Sequence, residues 1–439
     1  MRRSFRGGVH PAPHKDTAAL AVETMPLLGR YVVPLAQHLG APGEVCVAKG
    51  ERVQRGQPLS RPQGFVSVPV HAPTSGVVKS VKEQPHPHGR ALLAVEIEAD
   101  GEDRPWSGRP APADWRGLAP GALIAALRDA GLVGMGGAAF PTHVKLSPPE
   151  DKPIDLVILN GVECEPYLSS DHRVMLEEAP AVMAGLGIML RALGAQRALV
   201  GVEANKADAA DALSAACPVY LDADVALLPV KYPQGSEKQL IRALTRRTVP
   251  EGGLPMDVGC LVQNVGTAAA AFRALSEGEP LIERVVTVAG DGVAVPRNLR
   301  VRVGTPLADV IGHCGGLAGD VAKVIVGGPM MGMAQHSLDV PVLKSTSGIL
   351  CLPAAQVSQF LSEPCLRCGA CVDACPMALL PSALGLLAER GRYGELESHH
   401  VADCIECGSC AYACPSHRPL VQLIRRGKAE RLAARRRAA

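Results

Sequence analysis

Two short stretches near the end of the chain concentrate thiols: "PCLRCGACVDACPMALLP" (364–381) and "CIECGSCAYACPSHRPLV" (404–421). Each reads C-x2-C-x2-C-x3-C-P, with Cys365, Cys368, Cys371 and Cys375 in the first and Cys404, Cys407, Cys410 and Cys414 in the second. Three thiolates at this spacing wrap one iron–sulfur cubane, and the fourth cysteine leads away to ligate the neighbouring centre. That rule groups Cys365, Cys368, Cys371 and Cys414 around one 4Fe–4S cluster and Cys404, Cys407, Cys410 and Cys375 around a second. Zinc usually takes four ligands from two separated C-x2–4-C pairs, which two three-thiol wraps do not match. The other six cysteines (Cys46, Cys164, Cys217, Cys260, Cys314 and Cys351) are scattered singly. With no export signal at the start of the chain, this distribution favours metal ligation over a disulfide framework. Two adjacent one-electron centres form a wire.

A wire needs a source of electrons, and two further stretches have the residue types for a cofactor site. "GLVGMGGAAFPTHVKL" (131–146) is dense in glycine, which lets backbone N–H groups approach a ligand closely and turn toward phosphate. It lacks the G-x-G-x-x-G spacing after a strand, so the usual dinucleotide fingerprint does not apply. "NGVECEPYLSSDH" (160–172) follows a strand-like run and offers Asn160, Glu163 and Glu165 where α/β proteins place ligands.

The elements that must position these groups follow from pattern. Apolar runs at 154–160, 197–203 and 224–230 alternate with helix-period stretches at 173–193, 206–216 and 236–247, which predicts a parallel sheet covered by helices. Residues 43–98 read as short strands between Gly and Pro breaks, like half of a biotinyl/lipoyl-type β-sandwich. No lysine occupies the hairpin tip, where the chain reads Val70-His71-Ala72, so no swinging arm is expected. From 285 to about 348 β pattern returns around one helix-like stretch, as in a β-grasp module. The expected division is an N-terminal segment (1–42), a barrel-sandwich (43–110), an α/β cofactor domain (111–280), a β-grasp module (281–350), a two-cluster domain (351–424) and a basic tail (425–439).

Composition agrees with a multi-domain globular protein: 439 residues, 47% hydrophobic, 20% charged, 46 Gly and 37 Pro. Aromatics make up only 3%, so the cores must be aliphatic. A net charge of +2 gives no global pull toward nucleic acid or membrane. Seven Lys/Arg against one acid from Arg425 onward form a local exception that suits an anionic surface or a solvated helix end. No apolar run reaches the roughly 18–20 residues needed to span a bilayer, which places the chain in the cytosol or docked from the cytosolic side.

Taken together, "GGAAFPTHVKL", "NGVECEP", "YPQGSEKQLI" (232–241) and "QNVGTA" (263–268) resemble the flavin-bearing subunit of respiratory NADH dehydrogenase. The closer resemblance is to the C subunit of Rnf-type ion-translocating electron transport complexes. It covers nearly the whole chain: "FRGGVHP" (5–11), the β-sandwich, "ILNGVECEPYLSSDHR", "VIVGGPMMGMAQ" (324–335) and the two cysteine motifs, in that order. The resemblance implies FMN and NAD(H) as cofactors beside the two clusters. By motif, Gly134, Gly136, Gly137 and Lys145 line the flavin, and Phe140 contacts NADH. Asn160, Glu163 and Glu165 bind flavin and nicotinamide, Tyr232, Gly235 and Glu237 complete the cofactor site, and Asn264 and Thr267 belong to the flavin loop. Glu165 and Glu237 take the catalytic positions, orienting and tuning the cofactors without acting as general acids.

The implied activity is electron transfer between NAD(H) and membrane partners in an ion-translocating complex, at the cytoplasmic face and through those partners. This chain departs from the NADH dehydrogenase pattern at Met135 (arginine there), Ala139 (glycine) and Val162 (aspartate). Two other readings remain: a flavin and iron–sulfur cobalamin reductase, and a flavin-less electron relay. The first has its glycine loop near the amino terminus, whereas here about 130 residues precede it.

Overall fold

The computed structural model describes residues 4–357 and 362–438. At its centre lies a four-stranded sheet, wholly parallel, ordered Asp222–Leu228, Arg197–Glu203, Leu156–Gly161, Cys260–Asn264. Leu156, Val157, Ile158 and Leu159 are all nearly or fully buried, as expected of a strand covered on both faces. The expected helix over 173–193 is two, Ser170–Glu177 and Ala179–Leu193, separated at Glu178, whose carboxylate pairs with Arg273 and Arg300. The strand Cys260–Asn264 and the helix Val265–Ser276 behind it complete the domain. Small residues there, such as Gly185 against Ala268, let helices approach closely; a Cβ at 185 would lie 1.9 Å from the Ala268 carbonyl oxygen.

Sequence order and spatial order part company between Leu156–Gly161 and Cys260–Asn264. The second and third strands add on one side of the first, and the fourth is laid on the other. Open α/β sheets bind ligands outside the carboxyl ends of the strands at such a switch point.

Three further domains surround that end. An antiparallel sheet of Arg30–Pro34, Arg90–Ala99, Gly76–His86 and Arg52–Val53 forms the sandwich with the pair Glu44–Val45 and Ser60–Arg61. The stretch Val70–Ala72 is buried, with His71 at 4% exposure. A six-stranded sheet carries Val22–Thr24, Arg297–Arg302, Glu283–Ala289, Gly348–Pro353, Val321–Val326 and Met333–Gln335, with the helix Leu307–His313. The cysteine-rich domain is built on Ala370–Asp373, Pro381–Glu389, Ser409–Tyr412 and Leu420–Ala438.

Two expected boundaries differ. Residues 1–42 do not stand apart: Val22–Thr24 pairs in parallel with Arg297–Arg302, and Arg30–Pro34 pairs with Arg90–Ala99. Strands this short carry no period of their own and form only against distant partners. The basic stretch from 425 continues the helix that starts at Leu420, and its charge is partly matched within the chain. Arg425 and Lys428 pair with Glu406, and Arg431 and Arg435 with Glu397.

The arm before the first strand straps domains together. Gly8 N donates to the Ala374 carbonyl at 2.9 Å, and Val9 and Tyr232 exchange both backbone hydrogen bonds at 2.8 and 2.9 Å. Lys15 runs beneath the loop after Leu156–Gly161, where its ammonium donates to the carbonyls of Glu163 (3.0 Å), Glu165 (2.8 Å) and Leu168. Burial lowers its pKa.

Candidate cofactor cavity and cysteine clusters

Asn160 and Asn264 lie side by side in register at the carboxyl ends of the two strands flanking the switch point. Asn264 caps the helix Val265–Ser276, its Oδ1 accepting from Gly266 N at 2.8 Å and Thr267 N at 3.3 Å. Its Nδ2 donates to Asp171 Oδ2 at 2.6 Å. Asn160 Nδ2 donates to the Gly235 carbonyl at 2.7 Å and so holds the turn that follows Tyr232. Both asparagines therefore fix backbone as well as facing the crevice.

Above them opens a cavity of about 540 Å³, within the roughly 300–1,000 Å³ typical of cofactor sites. Gly134, Gly136, Gly137, Phe140 and Lys145 border it from the glycine loop, and Asn160, Glu163, Glu165 and Asn264 from the strand ends. Tyr232, Gly235 and Glu237 supply another side. Gly137 has φ +107°, and nothing lies within 4 Å of the place a Cβ would take, so the loop leaves that space open. Ala139 also adopts positive φ, +49°, a conformation glycine takes without strain.

Several expected site residues have their polar atoms engaged with the protein. Lys145 Nζ meets Glu237 Oε1 at 2.6 Å and the Val262 carbonyl at 3.0 Å. Glu163, at φ +46°, accepts from Asp171 N (2.7 Å) and His172 N (3.2 Å), capping the helix Ser170–Glu177. Both Glu165 oxygens accept backbone amides, from Met330 at 3.0 Å and Met331 at 2.9 Å. Burial pushes the Glu165 carboxyl up to about 7. Thr267 does not border the cavity; it is fully buried beneath the glycine loop and accepts from Met135 N at 2.9 Å. Val162 is likewise fully buried, packed with Leu156 and Ile158 and away from the cavity wall, so the aspartate it replaces leaves no gap there.

Sequence reasoning missed four features. Asp171 borders the cavity, and burial together with the nearby Glu163 pushes its carboxyl up to about 7. Lys15 supports the acidic loop from a distant segment. Pro87 and His88, at the tip of the Gly76–His86/Arg90–Ala99 hairpin, reach the cavity from the sandwich. Gly327–Met333 reaches it from the β-grasp sheet. Only "SSDH", directly after the acidic loop, carried a local signal, that of a helix start.

The cysteine domain also reaches the cavity, through Ile405 and Cys407. Cys407 borders a second, smaller enclosure together with Cys375, Cys404 and Cys410, walled by Leu379, Leu384, Val421 and Ile424. Burial and the neighbouring Cys407, Cys404 and Cys375 sulfurs push the Cys410 thiol up to about 12. Cys371 packs with Cys410, Leu420 and Val421, and Cys414 lies against the same group. Cys365 and Cys368 are exposed. The two motifs share their backbone: Arg367 and Glu406 both have φ +57°, and Gly369 and Gly408 have +83° and +84°. Tyr232, 1% exposed, donates its hydroxyl to the Cys407 carbonyl at 2.6 Å.

Comparison with known proteins agrees with this architecture. Residues 3–102 match the RnfC barrel sandwich hybrid domain, 127–273 the Nuo51 FMN-binding domain, 285–334 the SLBB domain and 364–418 the 4Fe-4S dicluster domain. The chain is 47% identical over 436 residues to RnfC of Clostridium ljungdahlii, the C subunit of its proton-translocating ferredoxin:NAD(+) oxidoreductase complex, covering 99% of this chain and 95% of that one. It belongs to the RnfC family. The Na(+)-translocating counterpart of Acetobacterium woodii is 44% identical, over 99% of this chain and 98% of its own length. The corresponding protein of the Salmonella typhimurium ion-translocating oxidoreductase complex is 45% identical, with 97% and 58% covered. Among solved structures, an air-oxidised NAD+-reducing [NiFe]-hydrogenase aligns at TM-score 0.50 and 21% identity, covering 64% of this chain and 54% of that one. It shares the fold.

The RnfC chain thus carries an FMN-binding domain and a 4Fe–4S dicluster domain. The residues present fit the flavin: an open glycine loop, polar side chains at the strand ends and a cavity of the right size. They fit the clusters as well, since one enclosure gathers four sulfurs among apolar side chains. Among the described residues, no helix is long and apolar enough to cross a membrane.

Proposed function

We propose that this chain carries electrons between NAD(H) and the membrane partners of the complex, with the cofactor cavity, an inner cluster and an outer cluster in series. Cys404, Cys407, Cys410 and Cys375 hold the inner cluster, and Cys365, Cys368, Cys371 and Cys414 the outer one. Gly134, Gly136 and Gly137 offer backbone to the flavin, Asn160 and Asn264 hold the strand ends against it, and Lys145 with Glu237 closes one edge. FMN, when bound, interconverts two-electron hydride chemistry and one-electron transfer. Tyr232 and Ile405 fill the space between cavity and inner thiols and exclude water from it. Docking is peripheral, on the cytoplasmic face, through the partners.

The observation that carries this reading is the double position of Cys407, on the wall of the cofactor cavity and of the four-sulfur enclosure at once. The test is anaerobic purification, acid extraction of flavin, and titration with NADH followed by visible absorbance and EPR. The reading expects about one flavin and roughly eight irons per chain, with two cubane signals appearing on NADH addition. Signals that appear only with dithionite, and no extractable flavin, would show a relay that has lost its source.

A further inference from the structure

The turn Gly327–Met333 belongs to the β-grasp domain yet stands over the cofactor cavity, which Gly328, Met331 and Met333 border. It is compact: Gly327 N donates to the Gly348 carbonyl at 2.8 Å, and Gly332 N to the Gly328 carbonyl at 2.9 Å. From the α/β domain, Glu165 grips its tip, one oxygen accepting from Met330 N and the other from Met331 N. Hydrogen bonds from two successive amides to one carboxylate are charge-assisted and directional. The Met330 side chain turns into the apolar group of Val9, Tyr232, Ala374 and Cys407. Met331, 45% exposed, and Met333 are left on the cavity side.

The two sides of the cavity differ in chemistry. Glycine-loop backbone, Asn160, Asn264 and the Lys145–Glu237 pair suit phosphate and polar ring edges. Two thioethers on a glycine-rich turn suit the face of a flat heteroaromatic ring, because methionine is adaptable and polarizable and packs well against such rings. Gly328 has no side chain for a specific reason: a Cβ there would lie 2.4 Å from Glu165 Oε2 and 2.7 Å from Glu165 Cβ.

We propose that the Gly327–Met333 turn is the dinucleotide-contacting wall of the site, with Met331 and Met333 packing on a ring of NAD(H) and Glu165 acting as the residue that positions this wall. The inference rests on the NAD(H) reading above and adds to it which domain recognises the nucleotide. It makes the β-grasp module part of the substrate site.

The experiment uses the full chain loaded with flavin and iron. Gly328→Ala leaves every cavity side chain in place and displaces only the grip; Glu165→Gln removes the charge from the grip; Met331→Ala removes one thioether without disturbing a buried group. Isothermal titration with NAD+ should show Kd raised about tenfold in the first two, the scale of a lost charge-assisted hydrogen bond, and several-fold in the third. Flavin and iron content should equal those of the parent. Hydrogen exchange at the Met330 and Met331 amides should accelerate in Gly328→Ala. A parent that binds NAD+ while Met331→Ala and Gly328→Ala bind it equally well overturns this inference alone. A parent that takes up no NAD+ overturns the NAD(H) reading together with it. Should Gly328→Ala fail to fold, Met331→Ala decides the matter by itself.

Discussion

Cys365 and Cys368 are exposed, whereas their counterparts Cys404 and Cys407 are half-buried and buried, although the two motifs have the same spacing and the same left-handed backbone positions. The motif fixes how three sulfurs are presented. What surrounds them is decided by the rest of the molecule. The arm at Gly7–Val9, the Tyr232 turn and the Gly327–Met333 turn all pack near Cys375 or Cys407. Among the described residues no comparable set of elements covers Cys365 and Cys368. Equal ligand geometry therefore comes with unequal access: one set faces the cofactor cavity, and the other faces solvent, where a partner can reach it.

The largest effect should come from breaking this order. Cys407→Ser removes a thiol that borders both cavity and enclosure, so NADH should no longer reduce the outer centre even where the outer cluster is present. Cys368→Ser should leave the inner centre reducible by NADH, with iron content falling by roughly half. EPR after NADH and after dithionite separates the cases. If Cys368→Ser also abolishes NADH reduction of the remaining centre, the inner and outer assignments are wrong.

A second contrast concerns the strap. Gly7 has φ +74°, and a Cβ there would lie 2.5 Å from the Cys375 carbonyl oxygen. Gly7→Ala should push the arm off the inner set and destabilise the seat of the cysteine domain by about 1–3 kcal/mol. The expected readout is faster proteolysis between 357 and 364 with flavin content unchanged. An unaltered digestion pattern would mean that the arm lies on the inner set without holding it.

How much of this could be read from the chain alone depends on contact range. Strands expected at 154–160, 197–203 and 224–230 occur at Leu156–Gly161, Arg197–Glu203 and Asp222–Leu228, because aliphatic runs between turns need no distant information. The Cys-x2-Cys spacing is local too. Residues 22–34 could not be placed, since Val22–Thr24 and Arg30–Pro34 become strands only by pairing with segments near 298 and 96. The roles of Glu163 and Glu165 were legible as acidic residues at a strand end. Their hydrogen bonds to Asp171 and to Met330 and Met331 were not, because the partners are set by the meeting of two helices and two domains. "GGPMMGM" gave no sign of its place over the cavity for the same reason: nothing near it in sequence says what it covers.

The smallest effect is also the sharpest test of unequal surroundings. Equivalent positions carry opposite charges, Arg367 beside the outer thiols and Glu406 beside the inner ones. Glu406 is half-buried between Arg425 (2.8 Å) and Lys428 (2.9 Å), and Lys428 also donates to the Cys404 carbonyl at 2.6 Å. Glu406→Gln leaves two cations uncompensated near the inner set, which favours the reduced, more negative cluster. Its potential should rise by something on the order of 50 mV at an intermediate effective dielectric. Arg367→Gln removes a positive charge from the outer set and should lower that potential, but by less, because exposed charge is screened by water and salt. The outer shift should therefore shrink further as ionic strength rises, while the inner one persists. Redox titrations of both variants at low and high salt read this directly. Equal shifts with equal salt dependence would mean that the two sets feel the same solvent, and the distinction between a covered and an open cluster would have to be abandoned.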